Sequence, residues 1–550
     1  MSDNSIFRRK SINNVLQQSE DSHGGGLVKI LGVRDLTSFG IAAIIGAGIF
    51  STIGRASFEG GPAVSLLFVF VSIACIFTAL CYAQFASMVP VSGSAYTYAY
   101  VSFGEIFAWI IGWALILEYA VSNMVVAISW SEYFVGMLHG FGINFPDYLT
   151  IDYGTAHEAF LEMQAGTSKL TDSTLFAAKA YEHAPVLGSI KLLIDLPAGV
   201  ITMLVTSLVY VGMKESRSAS NFLVVLKLVV ILMVISVGAF YVKPENWSPF
   251  APNGAQGVLG GVASVFFAFI GFDSISTTAE ECKNPQRDLP RAMIYCLVIC
   301  AVLYVCITLV LTGMVNYTEL KVDDPLAYVF QKINFDFMAG IISVSAVVAI
   351  TSALLVYQMG QPRIWMAMSR DGLLWKRFSK IHPKFKTPSF ATIVTGFVVA
   401  IPSLFLDMGF FVDLTSVGTF FAFILVCGGV LYLDYQGLSK DAKFKIPYLN
   451  GQFIVGPLLL VAISFVIYNN TFFSELEAKP LLAVFWLVWA ILSVLAYQHK
   501  FSILPVLGIL TNLYLMTELG VTNWTIFLIW LAIGLVIYFI YGYKNSKLAQ

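Results

Sequence analysis

Three ionisable side chains stand inside long apolar runs. Glu118 lies in Leu115-Ile116-Leu117-Glu118-Tyr119, Lys227 in Val224-Val225-Leu226-Lys227-Leu228-Val229-Val230, and Asp273 closes Phe267-Ala268-Phe269-Ile270-Gly271-Phe272-Asp273. Charge held away from water is costly, so such residues persist where they are paired or functional. A lysine shielded from water can release its proton, which makes Lys227 a proton-coupling candidate. Snorkelling to a nearby membrane face is the plainer alternative for it. Glu118, near the middle of its run, is expected either to face a cargo or to bond a neighbouring helix. For Asp273 a helix N-cap is the simplest role. Thr351 and Ser352, midway along another apolar run, are candidates to bond Lys227 or a cation, against the ordinary alternative of bonding their own backbone.

Clustered glycines interrupt two of the apolar runs. One reads Gly40-Ile41-Ala42-Ala43-Ile44-Ile45-Gly46-Ala47-Gly48-Ile49-Phe50 and the other Phe267-Ala268-Phe269-Ile270-Gly271-Phe272. Gly46 and Gly48 lower the cost of leaving α geometry. The half-helix beyond them would present unpaired N–H groups at a positive dipole end, which suits a carboxylate. Carbonyls freed after Phe267, Ala268 and Ile270 would suit an ammonium group. Together the two breaks complement the zwitterionic head of an α-amino acid. Taken singly, each run reads as small residues that let helices pack closely. Their corresponding places, first and sixth in a set of ten spans, point instead to a transporter site between inverted repeats.

The elements that must hold these residues follow from composition. Of 550 residues 58% are hydrophobic and 12% charged, a chain solvated by lipid rather than water. With about twenty apolar residues per span, fourteen helices are expected: 36–57, 62–88, 104–137, 197–213, 220–242, 256–279, 291–315, 337–367, 388–406, 410–434, 453–470, 480–498, 501–517 and 523–543. With the N-terminus inside, 23 of the 32 lysines and arginines fall in inner segments, 8 in outer ones, and Lys227 lies within a helix. That excess is what the positive-inside rule demands, and both termini are expected to be cytoplasmic. The seven cysteines form no C-x-x-C pair and the six histidines (His23, His139, His157, His183, His382, His499) sit in loops or at helix ends. A disulfide framework, a metal site and a membrane-embedded enzyme are therefore disfavoured. The basic N-terminus lacks a cleavable signal, so the first span would act as its own insertion signal. The tail 1–27 reads as disordered. The outer segment 139–196 is acidic, an ordinary solvated loop or a vestibule that gathers cations.

The sequence resembles the cationic amino acid transporter branch of the amino acid–polyamine–organocation superfamily over about residues 28–543. The likeness rests on Ile44-Ile45-Gly46-Ala47-Gly48-Ile49-Phe50, Pro90-Val91-Ser92-Gly93-Ser94-Ala95-Tyr96-Thr97-Tyr98, and Ile111-Gly112-Trp113 through Leu117-Glu118-Tyr119. It continues in Phe269-Ile270-Gly271-Phe272-Asp273, Glu280-Glu281-Cys282-Lys283-Asn284-Pro285-Gln286-Arg287-Asp288-Leu289-Pro290 and Ala367-Met368-Ser369-Arg370-Asp371-Gly372. The resemblance implies a LeuT-type, all-α polytopic fold: repeats 28–242 and 243–434, peripheral helices 435–543 and a short tail 544–550. It implies that Ala47, Gly48 and Ile49, with Ile45 beside them, bind a substrate carboxylate. Backbone carbonyls of Phe267, Ala268 and Ile270 would take its amino group, and Glu118 would face the substrate side-chain pocket. Lys227 matches a lysine that replaces a sodium ion in proton-coupled relatives. The hairpin 453–498 and the long loop 139–196 depart from many bacterial relatives.

The resulting expectation is a secondary active transporter of L-amino acids, cationic or small neutral or both, in the bacterial plasma membrane. It would work by alternating access, with the proton as coupling ion, no cofactor, and the lipid bilayer and its substrate as partners, as a monomer. Two alternatives stay open: an amino acid sensor that keeps the fold, and an exchanger without proton coupling.

Overall fold

The computed structural model describes residues 5–12, 15, 30–91, 93–143, 145–165, 172–187, 190–212, 216–322, 324–440, 442–468, 476–477 and 479–549. Most of the tail expected to be disordered, the basic residues Lys29, Lys169 and Lys214, His23, and Ser92 of the Pro90–Tyr98 motif lie outside these residues.

All fourteen expected spans are helical. The first is in pieces, Val33–Ile44, Gly48–Thr52 and Ile53–Gly60, and so is the sixth, Gly254–Gly260, Val262–Phe267 and Phe272–Glu281. Between and after them run Val64–Met88, Glu105–Gly140, Leu196–Val211, Ser216–Gly238, Pro285–Met314, Asp336–Arg370, Ser389–Ser403 and Met408–Tyr435. The last four are Val455–Tyr468, Leu481–His499, Ile503–Thr517 and Val521–Ile537. Among the described residues nine helices are long and apolar enough to cross a membrane, and four shorter apolar ones accompany them. A helix closes its own backbone hydrogen bonds, which is why this chain meets hydrocarbon almost wholly in that form. The protein is an all-α polytopic membrane protein.

The third and eighth spans, 36 and 35 residues long, pass through the centre of the bundle. The peripheral helices dock by ring stacking and side-chain hydrogen bonds. Trp113 and Trp530 stack with ring centroids 4.5 Å apart, and each indole N–H donates to the other's carbonyl, at 2.8 and 2.9 Å. Asn512 of the thirteenth span donates to Thr78 of the second at 2.8 Å.

Two expectations need correction. The segment 139–196 is folded over its described residues: it holds helices Tyr153–Gln164 and Asp172–His183 and a hairpin pairing Val186–Leu187 with Ile190–Lys191. Asp152 and Asp195, two of the acids that suggested a negative vestibule, are buried N-caps whose carboxylates accept from Thr155 N and Ala198 N. Asp195 also accepts from Ser131 at 2.5 Å, and burial pushes its carboxyl up to about 8, so near neutral pH it adds little negative charge. In the N-terminal tail, Arg8 and Lys10 are buried, while Phe7 before them and Arg9 between them stay exposed. Arg8 and Lys10 are 3% and 8% exposed and pair with Glu105 and Asp371, and Ile106 N donates to the Ile6 carbonyl at 3.1 Å. Composition alone could not foresee buried carboxylates waiting for those cations.

Candidate substrate site at two helix breaks

The two breaks touch. A Cβ on Gly48 would lie 2.4 Å from the Cα of Ala268, so only glycine lets the first span approach the sixth this closely. Gly271 has φ +121°, a conformation that side chains oppose, and a Cβ there would meet Ala43 at 2.8 Å. Both glycines therefore serve geometry at the crossing.

Opening the first span frees several carbonyls, and side chains from other helices take them. Lys227 donates to Ala42 O at 3.0 Å and to Ile45 O at 2.7 Å, and Tyr304 donates to Ile44 O at 2.9 Å. Beyond the break, Ile49 N and Phe50 N reach the Gly46 carbonyl at a long 3.3 and 3.4 Å. The amides of Ala47 and Gly48 have no acceptor among the described residues. Those two are the open donors of the expected positive end.

The sixth span differs from expectation. Residues 266–270 close as consecutive tight turns, with Ile270 N donating to the Phe267 carbonyl at 3.2 Å, while Tyr357 donates to the Ile270 carbonyl at 3.0 Å. Two of the three carbonyls expected to meet an ammonium group are thus engaged, and Ala268's alone lacks a donor among the described residues. Asp273 lies in the first turn of Phe272–Glu281 and accepts from the Tyr119 hydroxyl at 3.4 Å, but the N-cap position expected for it is held by Gly271.

A crevice too narrow to admit a water molecule remains at the crossing, walled by Ala47, Gly48, Phe267, Val126 and Tyr357. Ligand sites commonly hold about 300 Å³ or more, so the bundle is drawn closed around this one. Contacts seal it on both sides. On the C-terminal side of the first break, Thr52 bridges Gly48 O (2.8 Å) and Ser264 O (3.1 Å), and Tyr133 donates to Phe50 O at 2.7 Å. On the opposite side, the amides of Ile30 and Leu31 both donate to the Glu281 carbonyl at 3.0 Å, so the first span begins where the sixth ends. A larger recess, near Glu59, Asn253 and Tyr317, lies away from the breaks.

Three expected site residues stand elsewhere. Glu118 is buried beside Thr419, its Cβ side against Gly418 of the tenth span, and does not wall this space. Thr351 and Ser352 donate to the Val347 and Ala349 carbonyls of their own helix, at 2.7 and 2.9 Å, rather than meeting Lys227. A hydroxyl's nearest acceptor in a helix is the preceding turn. Thr351 also accepts from the Trp130 indole. Tyr304, Tyr357 and Val126 were missed, since nothing in their local sequence sets these two tyrosines apart from the other 23.

A family model described as "Amino acid permease" matches residues 31–492, and one described as "C-terminus of AA_permease" matches 502–546. The chain belongs to the amino acid permease family. It is 38% identical over 547 residues to the branched-chain amino acid permease BcaP of Bacillus subtilis (strain 168), covering 99% of each chain. It is 35% identical to a methylthioribose transporter of the same organism, again covering 99% of each, and 31% identical to the vacuolar cationic amino acid transporter 2 of Arabidopsis thaliana, covering 99% of this chain and 94% of that one. These relatives are transporters, not enzymes. The glycine-interrupted first span and the broken sixth both fall inside the matched region of this permease.

Proposed function

We propose that this permease is a proton-coupled secondary transporter of small and branched neutral L-amino acids. In this reading it works by alternating access on a LeuT-type pair of inverted repeats, 28–242 and 243–434, in a bacterial plasma membrane with both termini inside. The observation that carries the reading is the contact of the two breaks, with the Ala47 and Gly48 amides open on one side and the Ala268 carbonyl on the other. A carboxylate fits the first and an ammonium group the second. The wall that would meet the side chain is apolar apart from the Tyr357 hydroxyl, and no carboxylate lines it, which favours neutral over cationic cargo. The resemblance to a branched-chain amino acid permease agrees.

Lys227 supplies the coupling in this reading. Charged, its ammonium group holds the Ala42 and Ile45 carbonyls and keeps the first span in place. Deprotonated, it is a weaker donor, and the inner half of that span is released. Proton binding and release would thereby bias the permease between its two openings.

A competition panel in reconstituted vesicles tests the cargo. Unlabelled alanine, valine, leucine and isoleucine are expected to displace labelled leucine, with arginine, methylthioribose and the decarboxylated amines at least about tenfold weaker. Glu118→Gln is expected to leave the ratio of arginine to alanine uptake unchanged, because the wild-type carboxylate does not face the cargo space. Amines competing as well as amino acids would refute recognition of the head group, and a changed ratio in the glutamine variant would restore Glu118 to the pocket. Counterflow of labelled leucine separates a carrier from a sensor.

A further inference from the structure

Arg363 is a charged residue within the eighth span that the transport site does not use. Its guanidinium donates to Glu281 Oε1 at 2.6 Å and lies 3.5 Å from the Thr277 carbonyl, on the inner half of the sixth span. Glu281 is doubly committed. Its side chain meets the eighth span, while its own carbonyl accepts both Ile30 N and Leu31 N at the start of the first span. Lys283 N returns the link by donating to Leu31 O at 3.0 Å. The inner ends of the two broken spans are thus sewn together by backbone, and the Arg363–Glu281 ion pair joins that seam to the eighth span. The pair is neither sealed nor free: the side chains are 13% and 21% exposed, so water reaches it and can take over each partner when they part. Cys282, the next residue, is 0% exposed behind it.

We propose that Arg363 and Glu281 form the lock of the inner gate, and that parting them lets the joined inner halves of the first and sixth spans swing from the eighth. Arg363 acts as a positioning residue, through Glu281, and touches no cargo. The inference rests on the transporter reading above. The geometry favours this pair over the Arg8–Glu105 and Lys10–Asp371 pairs, because those tie the N-terminal segment to the third span and to the loop after the eighth, and neither engages the first or the sixth.

The native cysteines report the outcome. Full-length wild-type protein in vesicles is exposed to a small thiol reagent from the inner side, and modification at each cysteine is quantified by peptide mass spectrometry. Cys282 is expected to react at least about tenfold faster in Arg363→Gln and in Glu281→Gln than in wild type. Cys427, also 0% exposed and set between the second, tenth and thirteenth spans, is expected to stay at the wild-type rate. The exchanged pair Arg363→Glu with Glu281→Arg should return Cys282 most of the way, which a loss of packing alone would not do. Unchanged Cys282 labelling in both single variants overturns the lock, as does a parallel rise at Cys427, which signals general loosening. No amino acid is present in this assay, so its failure leaves the cargo reading standing. Conversely, faster Cys282 labelling that leucine does not alter would count against that cargo alone.

Discussion

Replacing Gly48 by alanine is expected to reduce uptake at least about tenfold while the permease still inserts in the membrane. The added methyl would sit 2.4 Å from the Ala268 Cα, and neither backbone can yield without parting the two breaks. Overpacking of a dense interior costs about 1–3 kcal/mol, and about 1.4 kcal/mol is a factor of ten in an equilibrium or a rate. Gly271→Ala should act similarly for a different reason, because φ +121° is strained for any residue with a side chain, by about 1–3 kcal/mol. The control is Gly456→Ala in the eleventh span, where nothing lies within 4 Å of the new methyl. Uptake of labelled leucine, normalised to protein in the membrane, checks all three. Wild-type uptake by the Gly48 variant would mean that the close approach of the breaks is incidental.

Lys227→Ala is expected to abolish the response of uptake to an imposed pH gradient, leaving uptake in proteoliposomes at its level without a gradient. The wild-type ammonium group is the donor to two carbonyls that the first break leaves open. Removing it strands both, at about 1–3 kcal/mol for each buried acceptor left unpaired. The first span is then held by Tyr304 on Ile44 O and by the contact at Gly48, and the cation that bridged the two carbonyls is gone. Leucine counterflow, which needs no net proton movement, should persist in the variant at a reduced rate. Gradient-driven uptake by Lys227→Ala would remove Lys227 from the coupling step, and loss of counterflow together with gradient response would make the residue structural.

Much of this arrangement is legible in the chain because it is local. Fourteen apolar runs of membrane length, the glycines at 46, 48 and 271, and the buried lysine at 227 declare themselves without any knowledge of neighbours. The helix breaks fall where the glycine spacing predicts. What the chain hides is how each freed backbone group is satisfied, since that depends on residues far away in sequence. Tyr304 reaches a carbonyl 260 positions earlier and Tyr357 one 87 positions earlier. The same long-range bonding explains the errors. The sequence leaves the Ile270 carbonyl open, but Tyr357 covers it, and it sets Glu118 toward a pocket, but the tenth span packs beside it. Arg8 and Lys10 looked like a solvated tail because their partners, Glu105 and Asp371, lie 97 and 361 residues away.

The most direct test of the whole account is an experimental structure of the permease with leucine or alanine bound. The carboxylate is predicted within about 2.7–3.2 Å of the Ala47 and Gly48 amides, with the ammonium group at the Ala268 carbonyl and the side chain toward Val126 and Tyr357. Cargo seated in the larger recess by Glu59 and Tyr317, with the two breaks still in contact and unfilled, would contradict it.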